Sequence, residues 1–80
     1  MKDAEIHQHI EQLVKEEHLL LEHGETRTLS DEDRSRLESV QVQLDRYYDL
    51  LRQRRARRDA GQDPDEAKMR SADTVERYQQ

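Results

Sequence analysis

The sequence predicts an all-α fold: an antiparallel helical hairpin with a short C-terminal helical segment, assembled into a dimeric helical bundle. Three observations predict it. Leu37, Val40, Leu44, Tyr47 and Leu51 recur at alternating steps of three and four, which lines one side of a helix. The short loop GETRTL separates this stretch from an earlier one of the same periodicity, and short connections favour antiparallel neighbours. The apolar stripes are also wide, because Leu20 and Leu21 both join the first while Tyr47 and Tyr48 broaden the second. Arcs of that width are covered in bundles of three or four helices, so two hairpins are expected to pair.

One domain, 1–80, is expected, with helices over 3–23 and 31–60 and a short helix or helices over 64–78. In the first helix, Ile6, Ile10, Leu13, Val14, Leu20 and Leu21 fall within roughly 120° of arc. Leu19 lies outside the stripe and is expected to be exposed or to serve a second contact. Glu17 sits inside it, so its carboxylate must reach water or find a cation. The antiparallel pairing offers Arg34. Gly24 is the expected stop, as a residue able to take the left-handed conformation.

Ser30, followed by Asp31, Glu32 and Asp33, reads as an N-cap with three acids in the positive first turn. Gly61 closes this second helix. Folding about the loop sets Leu13 near Val40 and Gln41, Ile10 near Leu44, and Ile6 near Tyr47 and Tyr48. Residues beyond about 51 then run past the start of the first helix and need another cover. Asp63-Pro64-Asp65-Glu66 combines an N-cap, a proline at N1 and an acid at N3, so a helix from 64 to about 70 is expected there. Ser71 opens another turn or two through Tyr78. Ala67, Met69, Ala72, Val75 and Tyr78 supply its apolar contacts, too few to hold the final ten residues still in a monomer.

Composition limits the function classes. Charged residues make up 41% and hydrophobic ones 31% of the 80 residues, with a net charge of −5 and no cysteine. Ile, Leu and Val together are about a fifth of the chain, near the boundary with disorder, so placement rather than quantity argues for folding. No apolar run reaches transmembrane length, and MKDAEIHQHI has no signal-peptide h-region. A cytoplasmic location without membrane contact is the expectation.

With LDRYYDLLRQRRARRDAGQDPDEAKMR and the closing VERY in view, the chain resembles a small actinobacterial helical protein family of unknown function. The likeness extends over the leader EIHQHIEQLVKEEHLL, the LRQRRA segment and the turn from Gly61 to Asp65. Family members often carry Cys-Trp where this chain has Tyr47-Tyr48. The resemblance implies a compact all-helical fold and transfers no catalytic or binding role.

Two groups of residues invite a functional reading. His7, Glu11, His18 and Glu22 share one side of the first helix. Glu11 and His18 are about 10 Å apart along the axis, too far for one ion, so a solvated polar face is expected and no metal or other cofactor. Arg52, Arg54, Arg55, Arg57 and Arg58 place five arginines in seven positions. Arginine suits phosphates, but these side chains point around much of the helix, no aromatic interleaves them, and Asp49, Asp59, Asp63, Asp65 and Glu66 lie nearby. Ion pairing within or between subunits is the first reading. A surface for a protein partner, together with Tyr47 and Tyr48, is the second, and nucleic acid or another polyanion the third. No glycine-rich loop, nucleophile elbow or desolvated pocket is legible, so the chain is not expected to be an enzyme. The function expected is a structural or protein–protein interaction module, with a second copy of the chain as the first expected partner.

Overall fold

The computed structural model describes residues 1–78. Helix α1 runs Asp3–Thr26, α2 Asp31–Asp59 and α3 Ala72–Tyr78, with a single 3-10 turn, Pro64–Glu66, between the last two. The fold is the expected hairpin with a short C-terminal helical part. Helix α2 is its centre: α1 packs along one side, and the 3-10 turn and α3 pack along another.

Local chemistry sets most of the boundaries. Glu5 reaches back to accept from the Lys2 N–H (3.2 Å) at the start of α1. Ser30 caps α2 by accepting from the Asp33 N–H (3.1 Å), where three acids meet the positive end of the helix. At its far end Gly61 takes φ +72°. The Gly61 N–H bonds to the Arg58 carbonyl and the Gln62 N–H to that of Arg57, the paired closure that a left-handed residue permits.

Gly24 departs from expectation: it lies inside α1, which continues to Thr26. Leu29 folds back to within 3.5 Å of where a Gly24 Cβ would sit. The helix then ends without a left-handed residue, since Arg27 is extended and its N–H bonds to the His23 carbonyl. Because the turn comes three residues later, the pairing of the helices shifts. Ile6 clusters with Leu50 and Ala67, flanked by Ile10, Tyr47, Leu51 and Met69. The beginning of α1 therefore reaches Arg54 and Arg58 instead of stopping short of them.

The expected helix over 64–70 is also corrected. Asp63 caps the proline turn as anticipated, accepting from the Asp65 N–H (2.9 Å), but Ala67 turns extended and ends it. The reason is tertiary. An extended run through 67–71 buries Ala67 and offers the carbonyls of Lys68 and Arg70 to side chains of α2. A continued helix would have tied those carbonyls to its own N–H groups. Ser71 then opens α3 by accepting from the Thr74 N–H, and Val75, 1% exposed, anchors it. The expected mobility of the final residues lies partly on 79 and 80, outside the described residues, as does the contact expected of the Tyr78 side chain.

Candidate interaction surface at the arginine end

Two register facts govern the polar contacts. Glu17 is half-buried at the edge of the seam and has no ion pair among the described residues. Its neighbour Glu16 pairs with Arg36 instead, accepting from Nε and from Nη2 (Nη2 to Oε2 2.6 Å) along one edge of the guanidinium. The guanidinium bonds hold the Glu16 carboxyl below its usual range. Arg34, the partner expected for Glu17, is exposed.

Helical spacing divides the five arginines into two groups. Arg54 and Arg58, one turn apart, turn toward α1. Arg54, 4% exposed, donates to Asp3 (2.5 Å), to the Pro64 carbonyl (3.0 Å) and to Asp65 (3.0 Å). Arg58 donates to the other oxygen of Asp3 (2.5 Å), and Lys2 pairs with Asp65. One guanidinium thus joins the start of α1, the end of α2 and the proline turn. The bonds from Arg58 and Arg54 hold the Asp3 carboxyl down at about 2, and those from Lys2 and Arg54 hold Asp65 below its usual value. Arg57 reaches Glu66 at 3.5 Å. Ion pairing within the chain, the first reading of the sequence, accounts for these three.

Arg52 and Arg55 belong to the other group. Both are exposed, and by helical projection they lie on a different side of α2 from Arg54 and Arg58. Arg52 approaches Asp49 at 3.8 Å, and Arg55 has no ion pair among the described residues. Tyr48, 42% exposed, stands one turn before Arg52 on the same stripe. Its neighbour Tyr47 faces inward, half-buried and stacked on His9 with ring centroids 5.1 Å apart.

A further polar site was not legible from sequence. Asp49, 5% exposed, accepts from Gln53 (3.0 Å) and lies 3.6 Å from Arg70. Gln53 also donates to the Lys68 carbonyl (2.9 Å), and Arg46 to that of Arg70 (3.0 Å). Residues 46, 49 and 53 form a ladder on α2 that receives the extended segment 67–71. Their spacing was visible; the backbone acceptors they serve were not. Nearby, Glu76 of α3 faces Asp45, and burial followed by that second carboxyl raises its pKa.

The chemistry these groups offer is recognition by charge and hydrogen bonding. Among the described residues no three of the histidines and carboxylates gather around a common point. His7, Glu11, His18 and Glu22 are all exposed. No helix among the described residues is long and apolar enough to cross a membrane.

Residues 2–80 match the family model described as Protein of unknown function (DUF2630). The chain belongs to that family. Among its relatives are Uncharacterized protein Rv0898c of Mycobacterium tuberculosis (strain H37Rv) and Uncharacterized protein Mb0922c of Mycobacterium bovis. Each is 46% identical over 79 residues, covering 95% of this chain and 88% of the relative's length. These DUF2630 relatives are mycobacterial, in accord with the actinobacterial resemblance of the sequence. No solved structure matches the chain.

Proposed function

We propose that this DUF2630 chain is a non-catalytic helical interaction module, cytoplasmic, that works by associating with a second copy of itself. The observation that carries the reading is the one-sided cover of the hairpin. The C-terminal segment packs on α2, and by helical projection the opposite side presents Leu21, 45% exposed, Tyr48, and half-buried Val14. Apolar side chains spaced along one side of a small, highly charged chain support reading that side as a contact surface, and a second hairpin placed there would complete a four-helix bundle.

Analytical ultracentrifugation over a range of protein concentrations tests this. The expected result is a species of about twice 9.6 kDa whose fraction rises with concentration. Leu21→Glu should weaken it without loss of helicity, since that side chain is exposed within the chain. A folded monomer that persists at hundreds of micromolar overturns the reading. Polyanion binding through residues 52–58 is less well supported, because Arg54, Arg57 and Arg58 are already paired internally. No appreciable binding to generic duplex or single strands is expected near 0.15 M salt. Micromolar binding lost on replacing Arg52 and Arg55 with Gln would favour that alternative.

A further inference from the structure

Helix α2 has three faces, and two are occupied. One meets α1, and a second meets the extended segment 67–71 and α3. The third carries Arg34, Glu38, Gln41, Tyr48, Arg52, Arg55 and Asp59, all exposed, with half-buried Asp45 at its edge beside Glu76. These positions succeed one another at strict steps of four and three, the spacing by which one straight helix face meets another.

We propose that this face pairs antiparallel, about a two-fold axis, with the same face of a second copy. The proposal rests on the self-association reading and adds its geometry and its selectivity. In an antiparallel pair of such stripes, facing positions have a constant sum of residue numbers. The alignment that overlaps the whole stripe sets Arg34 against Asp59 of the second copy, Glu38 against its Arg55, Gln41 against its Arg52 and Asp45 against its Tyr48. The two-fold axis repeats each pair. Two of the four are opposite charges and two are donor–acceptor pairs, with no like charges opposed.

Other alignments are poorer. Parallel pairing in register sets every charge against itself. Sliding the antiparallel pair by seven residues one way opposes Arg34 and Arg52, while the other way carries Arg34 and Glu38 beyond the end of the facing helix. The stripe is polar, so it contributes register and choice of partner more than binding energy. The burial comes from Leu21, Val14 and Tyr48 alongside.

The test is a pair of charge reversals, Glu38→Arg and Arg55→Glu, at exposed positions where the chain's own fold does not depend on them. Circular dichroism should show unchanged helicity. Sedimentation of each variant alone should show self-association weakened about 10-fold, because attraction becomes repulsion at two symmetric points. An equimolar mixture of the two should restore association, since the guanidinium introduced at position 38 of one chain then faces the carboxylate introduced at position 55 of the other. The doubly reversed chain should associate as the wild type does. If the wild type dimerises but the single reversals do so equally well, or the mixture is no tighter than its components, this pairing is wrong while self-association stands. A wild-type chain that stays monomeric removes both.

Discussion

At the loop end of the hairpin, Leu20 and Val40 are buried between two helices, with the exposed Arg36–Glu16 pair beside them. At the other end three segments meet, and charged side chains share the interior: Arg54 and Asp49 are as buried as Leu44. The apolar supply of α2 fails after Leu51, so the chain closes that end with guanidinium and amide groups whose donors reach backbone carbonyls. A core residue needs only neighbours. A buried arginine needs a fixed set of acceptors, and so it fixes where those acceptors lie.

The sharpest way to break the contrast is to remove one arginine at each end. Arg54→Ala should lower unfolding free energy by about 2–3 kcal/mol, because Asp3, Asp65 and the Pro64 carbonyl lose their shared donor while remaining partly hydrated. Arg36→Ala should cost much less, as the loss of an exposed pair does. Urea titrations of both variants give the ratio, and equal losses would mean that the two ends are held alike.

Glycine substitutions come next. Gly61→Ala should destabilise by about 1 kcal/mol, since alanine rarely adopts a φ of +72°. Gly24→Ala should stabilise by up to about 1 kcal/mol, because that residue is helical and its new methyl meets Leu29 at ordinary contact distance. The two changes are chemically the same and should move the urea midpoint in opposite directions.

Acid should act oppositely on two carboxyl sites. Asp3 has its pKa depressed to about 2 in the folded chain. Its contribution to stability is therefore complete above the unfolded value near 4 and is lost as pH falls toward 2. Asp3→Asn should accordingly lower the urea midpoint at pH 6 and much less at pH 2. Glu76 has its pKa raised, so its charge opposes the docking of α3 at neutral pH, and protonation relieves this. Glu76→Gln should raise the midpoint at pH 7 with no effect below pH 4, the smallest change of the set.

Features written in local chemistry could be read without the structure. The Ser30 cap, the Gly61 stop and the Asp63-Pro64 start each involve residues within a few positions of one another. What could not be read depended on the turn and on backbone partners. Gly24 looked like a terminus because its local preference is that of one, and Leu29, five residues later, supplies the packing that carries the helix through it. Glu17 stays at the edge of the seam, one of the two outcomes open to it, and the ion pair at this end forms between Glu16 and Arg36, which only the actual register of the helices could reveal. The extended segment 67–71 had a helical start signature, but the acceptors it gives to Gln53 and Arg46 exist only once α2 lies beside it. The division of the arginines was partly available: 54 and 58 share a face, as do 52 and 55. Which face turned inward required the position of α1.

The clasp at Arg54 also sets an order of events in time. Lys2 and Asp65 are 63 positions apart in the chain, so at synthesis rates of about 5–20 residues per second the start of α1 waits roughly 3–13 s for that partner. The loop end has no such wait, since Glu16 and Arg36 are 20 positions apart, and contacts between near neighbours in sequence form fastest. A nascent chain would therefore close from the loop outward. Release of a chain truncated before Asp63 would keep the Asp3 contacts with Arg54 and Arg58 but lose those of Lys2 and Arg54 with Asp65, leaving that end only half closed.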